Sequence, residues 1–212
     1  MVKEINTQNV PRAATSKKGR FSSWKNVLIH PKEVFESEKN NATLGSGVVN
    51  IVIAGLILAA IASAGILFLS VPLLGGLGAI LGTILSVFTF IVLPILLVIV
   101  WLIGSFVLYI ISYIVGGRGR YSTLAYLMSI YLPPFLILGL LVLLPAQMFL
   151  DKLGSDIVQG VFSLFSIYYI ILVLKATHGF STGKAILAIL LPYIVLFASL
   201  LGLLGTGVIP IT

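Results

Sequence analysis

Two histidines, six acids and no cysteine are all that this 212-residue chain offers for acid–base, nucleophilic or metal chemistry. His30 precedes Pro31, and His178 lies between Lys175 and Lys184. Neither has another His, Asp or Glu at metal-ligand spacing within its own segment, apart from Glu33 three residues after His30 on a charged stretch. With no cysteine there is no disulfide, thiolate ligand or cysteine nucleophile. A serine triad needs Ser, His and Asp within hydrogen-bond reach. Asp151 and Asp156 share one loop, and the threading argued below puts both histidines across the bilayer from it. The Gly116-Gly117-Arg118-Gly119-Arg120 loop lacks the Gly-Lys-Ser/Thr of a nucleotide-phosphate loop. It reads instead as a tight basic loop that meets lipid headgroups. These residues imply no enzyme, no cofactor and no metal.

The chemistry left is electrostatic and interfacial. The chain is 59% hydrophobic and 9% charged, with a net charge of +7. So few polar residues do not cover a soluble surface. The apolar runs are continuous and far longer than the alternating strands of a barrel. The fold class is therefore all-α, an integral membrane bundle. The positive charge orients the chain and touches anionic lipid, and no nucleic-acid partner is implied.

Residues 1–39 hold eight Lys/Arg and four Glu, and from Asn40 to Gly117 there is no charge. Later charges fall in three clusters: Arg118/Arg120, Asp151/Lys152/Asp156 and Lys175/Lys184. Residues 1–20 read as a flexible basic tail, and the first apolar stretch starts too late and runs too long for a signal peptide. Residues 21–44 read as a cytoplasmic amphipathic segment. Phe21, Trp24, Val27 and Leu28 share a helical face, and Pro31 opens a second short helix that carries Val34 and Phe35. Both helices are expected in the headgroup layer, with Trp24 at the boundary.

Residues 45–212 form the membrane domain, with spans over about 47–69, 93–115, 124–144, 158–174 and 185–204. The block 77–115 would make a helix of about 58 Å, nearly twice the bilayer core. Charge decides how it is threaded. A single span here puts the N-terminal region, Arg118/Arg120 and Lys175/Lys184 on one side and the Asp151–Asp156 loop on the other. Two spans would put the basic loops outside. Five crossings follow, with the N-terminus cytoplasmic and the C-terminus outside. Residues 77–92 are left as an extra apolar helix on the outer side or a long extension kinked at Pro94.

Small residues mark close helix approach: Gly55, Ala59 and Ser63 on one face, and Gly78 and Gly82 as a GxxxG pair. Packing within the chain accounts for them, and a homo-oligomer is compatible with them. Asn50, Thr83, Ser86, Ser105 and Ser112 read as hydrogen-bond partners between helices. No ionisable residue lies at the centre of a span. That argues against an ion-coupled carrier and leaves a channel or transporter for an uncharged or small solute as the alternative.

Three motifs in order carry a resemblance. His30-Pro31-Lys32-Glu33-Val34-Phe35 looks like the Pro-x-x-x-Phe element of the Yip domain (Ypt-interacting-protein) family. Gly116-Gly117-Arg118-Gly119-Arg120-Tyr121-Ser122 is similar to its Gly-Gly-x-Gly turn. Thr177-His178-Gly179-Phe180-Ser181-Thr182-Gly183-Lys184-Ala185 resembles the His-Gly-x-Ser-x-x-Lys-Ala approach to its last span. The resemblance covers roughly residues 24–205 and is nearest to prokaryotic members. It implies five spans, a cytoplasmic N-terminus and no known enzymatic activity. Eukaryotic relatives engage Rab GTPases in vesicle trafficking; this chain lacks their Asp-Leu-Tyr-Gly-Pro motif, so the resemblance does not extend to Rab binding. The expected function is non-enzymatic: a membrane protein that organises membrane or recruits lipid or protein partners at its cytoplasmic face. The expected contact residues are Trp24, Phe35, Arg118, Arg120, Lys175 and Lys184.

Overall fold

A computed structural model describes residues 19–205, so most of the basic tail read over 1–20 lies outside the described residues. All regular structure among the described residues is helical. Two short helices, α1 (Arg20–Ile29) and α2 (Pro31–Glu38), precede a helical turn over Lys39–Asn41. Four long helices follow: α3 (Leu44–Ile114), α4 (Tyr121–Phe149), α5 (Lys152–His178) and α6 (Thr182–Gly205). All four are long and apolar enough to cross a membrane. They overrun the apolar blocks of the sequence because caps end a helix. Thr43 Oγ1 accepts from the Ser46 N–H at 3.2 Å to start α3, and Asp151 Oδ1 accepts from the Gly154 N–H at 2.8 Å to start α5.

The longest helix is not straight. At Gly75 the backbone takes φ 60°, ψ −135°, a conformation open to glycine and strained for other residues. The chain turns back there, and the arms 44–74 and 76–114 lie antiparallel. The pairings fix the register. Ser63 Oγ donates to the Ser86 carbonyl at 2.9 Å, and Ser86 Oγ donates to the Ser63 carbonyl at 3.0 Å. One contact region nearer the open end, a Cβ on Gly55 would meet Pro94 Cα at 2.7 Å. Further still, a Cβ on Gly47 would meet the Trp101 ring at 2.9 Å. Towards the tip, Gly78 and Gly82 leave room for Ser70. The small residues are where the arms touch.

Residues 77–92 run on into the second arm as the long extension, one of the two arrangements left open by the sequence. The second arm runs unbroken through Pro94 to Ile114. A proline inside a helix removes one backbone bond and pushes its ring against the preceding turn. Here the facing Gly55 supplies the space that the buried Pro94 needs. The arms measure about 46 Å and about 58 Å at about 1.5 Å per residue.

Packing carries the alternation onward. The N-terminal turns of α4 return along the end of the second arm. Trp101 Nε1 donates to the Ala125 carbonyl at 3.1 Å, and Tyr121 OH donates to the Leu102 carbonyl at 3.2 Å. Asn50 Nδ2 donates to Ser129 Oγ at 3.2 Å and ties the first arm to the same turns. Between α4 and α5, aromatic rings form the core: Tyr131 stacks on Tyr169 at 5.6 Å and Phe135 on Phe162 at 4.1 Å. At one end of the bundle lie α1, α2, the start of α3 and the loops 115–120 and 179–181; this is called the basic end below. At the other lie the Gly75 turn and the Asp151 loop.

Candidate functional site at the basic end of the bundle

The Gly116–Arg120 loop is shaped by the way α3 stops. The Gly117 N–H donates to the Ser112 carbonyl at 2.8 Å and the Gly116 N–H to the Tyr113 carbonyl at 3.0 Å. Gly116 has φ 93°. This is a Schellman termination, which needs a left-handed residue just past the helix. The loop then lies flat on the end of α5. A Cβ on Gly117 would meet His178 Nδ1 at 2.6 Å, and one on Gly119 would run into Thr177. The Gly119 N–H donates to His178 Nδ1 at 2.9 Å.

That bond gives His178 its role. Its Nδ1 lone pair is taken, so the neutral ring carries its proton on Nε2. The ring stacks on Phe180 at 5.2 Å and lies 6.1 Å from Tyr109. It is a clasp under the loop, with nothing left at Nδ1 for base catalysis. Clamped from beneath, the loop leaves Arg118 and Arg120 exposed.

The second basic loop is built similarly. Gly179, with φ 66°, ends α5, its N–H donating to the Lys175 carbonyl at 2.9 Å. Lys175 is half-buried and donates from Nζ to Thr182 Oγ1 at 2.9 Å, which bridges α5 to the first turn of α6. Lys184 is exposed. The His178–Gly119 contact holds the Gly116–Arg120 loop against the end of α5, from which the second basic loop leaves.

Trp24 and Phe35 are placed elsewhere. They are 5% and 1% exposed, packed with Val27 against α4 and α5. Their apolar faces meet protein, so they hold α1 and α2 to the bundle. Phe21, 65% exposed on α1, is the ring that stays outside. Two hydroxyls seat these helices: Tyr169 OH donates to the Leu28 carbonyl at 3.1 Å, and Tyr126 OH donates to Glu38 Oε2 at 2.9 Å. Ser23 Oγ adds a 3.3 Å bond to Glu38 Oε1.

Sequence reasoning missed Glu38, Ser23 and Tyr126 as partners, and gave His178 no structural task. Glu38 offered one signal: it is the last acid before the long uncharged stretch. Among the described residues no group of His, Cys, Asp or Glu could hold a metal ion. The described residues place exposed cations, Arg118, Arg120 and Lys184, at the basic end. The family model described as Yip1 domain matches residues 25–204. No curated protein and no solved structure matches the chain.

Proposed function

We propose, for a chain that belongs to the Yip1 domain family, a non-enzymatic role at one membrane face: organising the bilayer or recruiting partners there. The apolar helices and the family make it an integral multi-pass membrane protein. In this reading the five antiparallel segments each cross the bilayer. The basic end and the N-terminus are cytoplasmic, and the C-terminus is outside. The helices α1 and α2 lie at the headgroup layer, anchored from within by Trp24 and Phe35, with Phe21 towards the lipid. The working surface is Arg118, Arg120, Lys175 and Lys184, which attracts anionic headgroups and acidic segments of partner proteins.

One observation carries the reading: two glycine-shaped loops are held together through His178, with Arg118, Arg120 and Lys184 exposed. A flexible loop would spread its charge, whereas a clamped one concentrates it. Each cation near an anionic surface contributes about 1 kcal/mol. The Arg118→Gln/Arg120→Gln variant should thus lose about 2 kcal/mol, roughly thirtyfold in affinity for anionic lipid. Native mass spectrometry of the full chain, extracted from bilayers of mixed anionic and zwitterionic lipid, measures the retained species. The wild type should retain the anionic species, less so at high salt. Equal retention by wild type and variant would overturn the reading.

A further inference from the structure

A second feature of the basic end is a polar, partly open cavity. A cavity of about 90 Å³ lies where α1, α2, the start of α3 and α4 converge. Its walls include Arg20, Trp24, Glu38, Ser46, Asn50 and Tyr126. Two of these are left incomplete. Trp24 Nε1 is buried with no acceptor, and Asn50 Oδ1 is buried with no donor. Both side chains are more than nine-tenths buried. A buried polar atom without a partner costs about 1–3 kcal/mol, so one such donor and one such acceptor on a single cavity call for an occupant.

We propose that this cavity receives the headgroup of a zwitterionic phospholipid that ends in a primary ammonium. The ammonium has three donors and no acceptor. It finds the Glu38 carboxylate and Asn50 Oδ1, with the Ser46 hydroxyl alongside. Glu38 already accepts from Ser23 and Tyr126, which hold its carboxylate in place, and among the described residues no cation lies within ion-pair distance of it. The phosphate on the same headgroup takes the exposed Arg20 guanidinium and the Trp24 indole N–H. Sign and size agree. At about 10–15 Å³ of such space per water, the cavity of about 90 Å³ admits about six to nine non-hydrogen atoms, room for an ethanolamine end and its phosphate. A trimethylated ammonium adds three carbons and has no N–H to give. Phe21, edge-on to Trp24 at 5.2 Å and exposed, offers its ring to the first acyl carbons.

The site rests on the basic end lying at a membrane face, and not on the anionic binding above. Its test uses the full chain in bilayer discs with equal phosphatidylethanolamine and phosphatidylcholine of matched acyl chains, read by native mass spectrometry. The wild type should retain phosphatidylethanolamine about tenfold over phosphatidylcholine. Glu38→Gln should abolish that preference, while Arg118→Gln/Arg120→Gln should keep it. Trp24→Phe, which removes the indole N–H and leaves a smaller aromatic ring, should lower phosphatidylethanolamine retention in protein that still melts cooperatively; this decides the matter if Glu38→Gln fails to fold. Free phosphoethanolamine should displace the lipid only in large excess. Equal retention of the two lipids, or a preference that survives both Glu38→Gln and Trp24→Phe, would overturn the proposal. Displacement by phosphoethanolamine at equal concentration would make the ligand the soluble ester and overturn the lipid assignment.

Discussion

Gly55→Leu should destabilise the protein by about 3 kcal/mol, the upper part of the usual range for overpacking. Thermal melting in detergent should fall by on the order of 10 °C. The reason is what the added carbon meets. Its nearest neighbour is Pro94 Cα at 2.7 Å, a backbone atom that moves only if the arms separate. Separation there would also strain the reciprocal Ser63–Ser86 bonds nearer the tip. Gly65→Leu is the matched control, because a Cβ at Gly65 meets nothing within 4 Å. Both changes gain the same helix propensity, about 1 kcal/mol over glycine, so their difference isolates the contact between arms. Equal melting of the two variants would show that the arms do not pack as described.

The second large effect is expected at Trp101. Its ring fills the space left by Gly47, and its Nε1 donates to the Ala125 carbonyl in α4. One side chain thus joins both arms of α3 to the next helix. Trp101→Ala should cost about 3–5 kcal/mol through the cavity it leaves. Trp101→Phe keeps part of the ring but loses the indole hydrogen bond, worth about 0.5–1.5 kcal/mol, and leaves a smaller cavity. Denaturant titration in mixed micelles should rank wild type above phenylalanine above alanine. An alanine variant as stable as wild type would remove Trp101 from the core.

The sequence states the helical class and the placement of charge openly, since nothing but helices accounts for such long apolar runs. It also marks Gly55, Ser63, Gly78 and Gly82 as small residues on close faces, and the arms meet at them. The end of the first span near Leu69 and the start of the next block at Leu77 bracket the reversal at Gly75. Whether 77–115 is one helix or two was harder to read, because its composition is apolar throughout and Pro94 lies inside it. The difference is a tertiary one: Pro94 faces Gly55 and is accommodated, whereas Gly75 takes a positive φ. The same limit applies to α1 and α2. Periodicity reveals that Trp24 and Val27 share an apolar face but not whether lipid or protein covers it, and α4 covers it here. In the candidate site, the arginines and lysines were visible as charge. The clasp by His178 and the Glu38–Tyr126 bond were not, because each joins residues far apart in the chain.

Threading is tested most directly by which face each loop occupies, and the chain has no native cysteine to interfere. Single cysteines at Lys25, Arg118 and Asp151, and one at the C-terminus, are challenged in intact cells with a membrane-impermeant maleimide. Five crossings with reversal at Gly75 predict labelling of Asp151→Cys and the C-terminal cysteine from outside. Lys25→Cys and Arg118→Cys should react only after permeabilisation. Labelling of Lys25→Cys and Arg118→Cys from opposite faces, or of Lys25→Cys and the C-terminal cysteine from the same face, would contradict the account.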